Sequence, residues 1–425
     1  MSYFVVEGGR RLVGEVDVAG SKNISLALMS AVVMAPGVTV LHNIPDLSDT
    51  RTKAKLLETF GVKVNWLDGS LYLDCTDVTA GDADEEIVRK IRTSFYLLGP
   101  LMARVGKITL PAPGGCKIGA RPVDFHLRGF ELMGAKVEQD GDRYHADGRN
   151  LTGAEIYFDF PSAGATQHLM TTAVLAKGNT VIQNAAMEPE VTVLAAFLNA
   201  MGAKIEGAGT SMITIQGREA IEPCEFRVPA DRLQASTYLL AGAITHGDVR
   251  VNGVDPETQT ALVNKLREAG ADADEGHDWV QVSARNRLKA IRVKTMPYPG
   301  FPTDIQQPTA AMLTLAEGTS TVEETIYESR IGHVEELKRM GAKINLEGRS
   351  AIIHGVKGLK GANVEASDLR AGAALVLAGL AAEGETTIRK IEYIDRGYQA
   401  FEQNLRKLGG KIERVGTLIA ETPLL

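Results

Sequence analysis

Two periods of apolar and polar positions run through this chain. Short stretches alternate every second residue and read as half-buried strands, often as short hairpins such as Ala351 to Gly355. Between them lie Ala-rich runs, for example Ala371 to Leu380, that are apolar on most faces and so predict helices buried on all sides. A glycine follows a helix-like segment and precedes a strand six times, at Gly61, Gly134, Gly202, Gly270, Gly341 and Gly409. Glycine just past a helix end is the usual left-handed cap. The spacing of roughly 70 residues predicts six copies of one unit, longer than a solenoid repeat. Each copy reads strand, helix, strand, helix and hairpin.

The six units divide three and three, with the junction near Pro229, Ala230 and Asp231. The stretch Phe4 to Val18 reads as a strand like the one before each later first helix, and completes a unit lacking its own copy. The expected domains are residues 22–229 against 1–21 plus 230–425, with two chain crossings and a ligand cleft between lobes. Each unit opens its first helix on polar residues: Ser21, Lys22 and Asn23; Arg92, Thr93 and Ser94; Ser162, Ala163 and Gly164; Asp231 and Arg232; Thr303 and Asp304; Ser367, Asp368 and Arg370. Ser, Thr and Asp there can simply cap the helix. Lys22, Arg92, Arg232 and Arg370 are cations where the helix dipole disfavours them, which points to an anionic ligand opposite.

Composition narrows the class. The 425 residues, 44% hydrophobic, are ample for more than one core, and the net charge of −7 argues against general nucleic-acid binding. An anion must be held by a local cluster of Lys and Arg. The longest apolar stretch, near Leu26 to Leu41, is broken by Pro36 and Gly37 and is too short to span a bilayer. No basic segment precedes an apolar run at the N-terminus. Three sparse cysteines suit a reducing compartment, so the expected location is cytoplasmic.

Of these cysteines, Cys116 stands apart. It lies in a Gly- and Pro-rich loop, after Gly114 and Gly115, with Lys117 beside it and Arg121 nearby. Adjacent cations lower a thiol's pKa and make it reactive, and such a loop can close over a ligand. Cys75 and Cys224 have no such surroundings and read as inert. No His, Cys or Glu spacing reads as a metal site; His126 and His333 read as structural or supporting residues, and no metal or cofactor is expected.

Seven segments together resemble the UDP-N-acetylglucosamine 1-carboxyvinyltransferase family over essentially the whole chain. They are Gly20 to Asn23, Ile91 to Phe95, Gly114 to Asp124, Phe301 to Asp304, Glu328 to Arg330, Asp368 to Ala371 and Ile394 to Tyr398. The resemblance implies an α/β fold of two inside-out barrel lobes with three repeats each, matching the repeat count. It also implies transfer of the enolpyruvyl group of phosphoenolpyruvate to the 3′-hydroxyl of UDP-N-acetylglucosamine with release of phosphate, the first committed step of bacterial peptidoglycan synthesis, and hence a part in cell-wall biogenesis, cell shape and division. Such chemistry needs a proton donor to the vinyl carbon, a base for the hydroxyl and cations for phosphate and carboxylate.

Residue by residue, the resemblance makes Cys116 the proton donor, able to form a covalent adduct and to be alkylated by a fosfomycin-type epoxide, and Asp304 the general base; Asp304 as a helix cap is the alternative. Lys22, Arg121 and Arg396 match ligands of phosphoenolpyruvate, with Asn23, Arg330 and Arg370 assisting; Lys22 and Arg396 count with the catalytic set. Arginine's fixed fork suits that task. Asn23, Arg92, Arg121, Pro122, Val123, Asp124, Phe125, Ser162, Ala163, Gly164, Asp304 and Ile326 match positions that contact the nucleotide sugar. The sequence departs from the family pattern at Ser21, Ala163, Gln234 and the Gln167-His168 pair. Two other readings stand beside this one: an enolpyruvyl transferase with another acceptor, such as shikimate 3-phosphate, and a non-catalytic paralogue that binds the nucleotide sugar.

Overall fold

The computed structural model describes residues 2–81, 83–114 and 123–416. These form two compact units, one made of residues 20–114 and 123–228, the other of 2–19 and 229–416. The first unit's third repeat shows the plan. Strand Glu155–Tyr157 leads to helix Ala163–Ala173, then strand Asn179–Gln183, helix Pro189–Ala200 and the hairpin Lys204–Glu206 with Met212–Gln216. The first two strands are parallel, with Ile156 opposite Ile182, and the hairpin adds antiparallel, with Ile182 opposite Ile213. These isoleucines alternate inward, which fixes the register because a one-residue slip would turn all of them to solvent.

Among the described residues there are six sheets, five of four strands on this plan and one of three strands, Lys107–Pro111, Arg143–Asp147 and Lys136–Asp140, without the parallel strand. Three take a strand from afar. Strand Glu225–Arg227 returns to pair in parallel with Val38–His42, and Val13–Asp17 pairs in parallel with Asp248–Asn252. The single strand expected over Phe4 to Val18 is instead two strands serving two sheets. Tyr3–Glu7 inserts antiparallel between Glu385–Arg389 and Lys411–Val415, where Phe4 and Val6 are buried. The break falls at Gly8, where a Cβ would stand 2.1 Å from the carbonyl oxygen of Ala382; the chain passes too close to a neighbouring backbone for any side chain.

The six recurring glycines all have positive φ, between 82° and 100°. At Gly202 the cap is complete: its amide donates to Asn199 O and that of Ala203 to Leu198 O, both at 3.0 Å.

Six largely apolar helices lie inside their units: α1 (Lys22–Ala31), α2 (Leu98–Val105), α3 (Ala163–Ala173), α4 (Arg232–Ile244), α5 (Gln306–Leu313) and α6 (Leu369–Ala381). In one unit α2 packs on α3, and in the other α4, α5 and α6 pack on one another. Every residue of α5 is buried, as is all of α4 after Arg232. Sheets enclose them, each with an exposed outer face, for example the outer residues of Lys343–Glu347. This is an inside-out α/β arrangement, with helices where an ordinary barrel has strands. Small residues allow it: a Cβ on Gly372 would lie 2.6 Å from Ile394 Cγ1. Buried hydroxyls are satisfied within the helices, Thr237 donating to Leu233 O and Thr309 to Ile305 O, at 2.9 and 2.7 Å.

Candidate active site

In the unit that holds α4–α6, the expected site residues gather at helix starts. Asp304 sits in the single 3₁₀ turn Thr303–Ile305 that leads into α5. The cap position of that turn is held by Pro302, not by Asp304. The Asp304 carboxylate lies between two guanidiniums, with Oδ1 2.6 Å from Arg330 Nη1 and Oδ2 3.2 Å from Arg370 Nη2. The arginine side chains are 4% and 1% exposed, that of Asp304 23%. Both cations are held above the ordinary arginine value. Burial opposes the charge of each; for Arg370 it is outweighed by Tyr398, Asp304 and Asp231, and for Arg330 by Asp304 and Asp368. Asp231 and Asp368 cap α4 and α6, so the starts of all three helices meet around Arg370.

A hydrogen-bonded frame, whose Glu324 and Thr295 were unforeseen in the sequence, holds this cluster. Arg330 Nη1 donates to Thr303 Oγ1 at 2.9 Å, and Thr303 donates to buried Glu324 at 2.8 Å. Glu324 also accepts from Thr295 Oγ1 and from the amides of Ile326 and Tyr327, at 2.9, 2.8 and 3.1 Å. Ile326, expected near the sugar, is half-buried and has its backbone fixed by this carboxylate. Asp368 accepts from the amides of Arg370 and Ala371 at 2.9 and 3.1 Å, and from Gln307 Nε2 at 3.1 Å. The sequence offered one signal, the acidic Asp368 directly before the apolar helix Leu369–Ala381. Tyr398 stacks against Arg370, 5.2 Å from its guanidinium carbon, and shares a hydrogen bond with Thr237 Oγ1 at 3.0 Å. Arg396 ends the neighbouring turn Ile391–Arg396, half-buried.

In the other unit, Lys22 is the first residue of α1, behind the Ser21 cap, with its Nζ 3.6 Å from Asp49 Oδ2. Asn23 follows it, half-buried. Arg92 opens the 3₁₀ segment Arg92–Leu97 that runs into α2. Ser162 caps α3 by accepting from the amide of Ala165 at 3.3 Å, with Ala163 and Gly164 half-buried in the first turn. A Cβ on Gly164 would stand 2.3 Å from the Tyr96 hydroxyl, so the start of α3 and the Arg92–Leu97 segment touch. Asp124 is exposed at the start of helix Asp124–Leu132 after half-buried Val123; Phe125 packs tilted on Phe158, centroids 5.5 Å apart. Cys116, Arg121 and Pro122 lie outside the described residues.

Cys75 is buried, which pushes its thiol up to about 12, and burial also raises that of Cys224. Neither is a ready nucleophile. Among the described residues no three His, Cys, Asp or Glu cluster as a metal site, and no helix is long and apolar enough to cross a membrane.

Residues 6–405 match the EPSP synthase (3-phosphoshikimate 1-carboxyvinyltransferase) family. The enolpyruvyl transferase NikO from Streptomyces tendae superposes with a TM-score of 0.88 at 24% identity, over 97% of this chain and 98% of that one. The EPSP synthase of Acinetobacter baumannii does so with 0.76 at 20% identity, over 98% and 100%. Fold and matched sequence together define a transferase of the EPSP synthase class. Nearer relatives sharpen this. UDP-N-acetylglucosamine 1-carboxyvinyltransferase 2 of Carboxydothermus hydrogenoformans is 48% identical over 98% of this chain and 100% of its own. The similarly named protein 1 of Symbiobacterium thermophilum is 48% identical over 97% and 95%, and protein 2 of Clostridium acetobutylicum 46% over 97% and 99%. Within that class, the chain belongs to the UDP-N-acetylglucosamine 1-carboxyvinyltransferase family.

Proposed function

We propose that this chain transfers the enolpyruvyl group of phosphoenolpyruvate to the 3′-hydroxyl of UDP-N-acetylglucosamine. The hydroxyl oxygen adds to C2 of phosphoenolpyruvate as a proton reaches C3, and its own proton leaves to a base. Loss of a C3 proton and of phosphate from the tetrahedral adduct then restores the double bond. The single observation that carries the reading is the Asp304 carboxylate fixed between Arg330 and Arg370. It supplies an acceptor for the hydroxyl proton beside cations that suit the phosphate and carboxylate of the donor.

The other roles follow the family. Cys116 delivers the proton to C3 and is the thiol that a fosfomycin-type epoxide alkylates. Lys22, Arg121 and Arg396 neutralise phosphoenolpyruvate, with Asn23, Arg330 and Arg370 assisting. Arg92, Val123, Asp124, Phe125, Ser162, Ala163, Gly164 and Ile326 receive the nucleotide sugar, together with Arg121 and Pro122. Backbone N–H groups at the start of α3 suit its diphosphate. The reaction serves peptidoglycan synthesis in the cytoplasm.

The test is the product. Mass spectrometry of the nucleotide sugar after incubation with phosphoenolpyruvate is expected to show the enolpyruvyl ether. Product only with shikimate 3-phosphate would transfer the reading to another acceptor, and none with any acceptor would favour a binding protein.

A further inference from the structure

The roles above leave a buried pair of imidazoles unused. His126, on the helix that begins at Asp124, and His168, in the middle of α3, meet through their Nδ1 atoms at 2.9 Å. Two ring nitrogens share such a contact when one carries the proton and the other the lone pair. The direction follows from a third group. The Gly99 amide donates to His168 Nε2 at 2.9 Å, so that nitrogen accepts and the proton of a neutral His168 is on Nδ1. His168 therefore donates to His126 Nδ1, and the remaining proton of His126 is on Nε2.

The surroundings keep both rings neutral and fixed. Burial, then the charge of Arg92, pushes His126 down to about 3; burial, then His126 and Lys53, lowers His168. Lys53 is itself buried, donates to Thr93 O at 2.7 Å, and is pushed well down by burial. Phe95 stands edge-on to both imidazoles, at 5.4 and 5.5 Å between centroids, and Tyr96 lies against both at 5.9 and 5.6 Å. Gly99 leaves no room for adjustment: a Cβ there would be 2.9 Å from His168 Nε2. The Tyr96 hydroxyl in turn abuts the first turn of α3 at Gly164. His126, Arg92 and the α3 N-terminus thus share one neighbourhood.

We propose that His168 is a positioning residue for the acceptor substrate: it fixes His126 as the Nε2–H tautomer, a neutral donor that joins Arg92 and the α3 N-terminus in binding the diphosphate. A charged imidazole would repel Arg92, and the other tautomer would turn a lone pair toward an anion. The inference rests on the nucleotide-sugar reading above and adds a residue to it.

Two variants and one spectrum test it. His168→Leu removes the donor, and is expected to raise KM for UDP-N-acetylglucosamine about tenfold, as for one hydrogen bond to a charged group. KM for phosphoenolpyruvate and kcat should stay within about twofold. His168→Asn offers an amide N–H near the Nδ1 position and should restore most of the loss. Nitrogen-15 spectra of histidine-labelled enzyme should show His126 protonated at Nε2 and not titrating between pH 5.5 and 8. A wild-type KM in His168→Leu, equal changes in both KM values, or a His126 protonated at Nδ1 would each overturn the proposal. Wild-type protein that fails to bind UDP-N-acetylglucosamine by calorimetry would overturn the substrate reading and the diphosphate role with it. The tautomer is read without substrate, so the two failures are distinguishable.

Discussion

Arg370 shows what the candidate site costs at the scale of one residue. Its guanidinium is buried, and its Nε and Nη1 have no hydrogen-bond partner among the described residues. Taking a cation out of water is expensive, and a buried pair broken at one partner costs about 3–5 kcal/mol. Asp304 keeps some solvent contact, so Asp304→Ala should destabilise the protein by less, about 2 kcal/mol. Urea denaturation should find the double variant Asp304→Ala/Arg370→Met more stable than Asp304→Ala alone; equal stability would mean that the carboxylate is not what balances Arg370.

The buried imidazoles give a pH dependence of definite sign. His126 is depressed to about 3 and His333 to about 4 in the folded chain, chiefly by burial, against an ordinary value near 6.5. The unfolded chain therefore takes up protons first as pH falls. The stability these rings contribute is complete above about pH 6.5 and is lost below it, on the order of 2 kcal/mol at pH 5 for His126. The melting temperature should fall between pH 7 and pH 5, and the fall should be shallower in His126→Gln; parallel pH profiles for the two proteins would contradict this.

Single residues were unevenly legible. Asp304, Arg330 and Arg370 could be picked out by motif and helix start, and the structure brings them together. Glu324 and the partnership of His126 with His168 could not, because each depends on a contact between segments far apart in sequence.

At the scale of elements, close approach decides what is allowed. Helix Asp124–Leu132 docks on α3 through Gly129, where a Cβ would fall 2.2 Å from Leu169 Cδ1. Gly129→Ala gains helix propensity but must displace that side chain. It should cost about 1–3 kcal/mol, as overpacking does, and a chemical-denaturation midpoint at or above wild type would refute the packing. The six central helices were legible because burial on every face leaves an apolar signature, and their partners because the left-handed cap demands glycine. The N-terminal stretch reads as one strand only if the run Glu7-Gly8-Gly9-Arg10-Arg11 is passed over, although it interrupts the alternation and a Gly-Gly pair is itself a turn signal. At that break the backbone of Gly8 passes against Ala382, and the chain leaves one sheet before Val13–Asp17 joins another.

At the scale of the molecule, chain crossings tie the termini of repeats to distant sheets. Strand Tyr3–Glu7 contributes Phe4 and Val6 to the unit containing α4–α6 and pairs on both edges. Deleting residues 2–7 should therefore expose that unit to limited proteolysis while the unit containing α1–α3 keeps its resistance; equal loss in both would mean that the two do not behave as separate compact bodies. Six similar repeats also place different side chains near helix starts: Lys22 and Arg92 in one body, Asp304 and Arg370 in the other.

The proposed acid and base are open to one measurement, phosphate release from phosphoenolpyruvate with and without UDP-N-acetylglucosamine, in wild type, Cys116→Ala and Asp304→Ala. Release should depend on the sugar in wild type and fall by about 10²-fold or more in each variant, the usual contribution of a positioned acid or base. Sugar-independent release, or an Asp304→Ala enzyme with wild-type turnover, would contradict the assignment of Asp304 as the base.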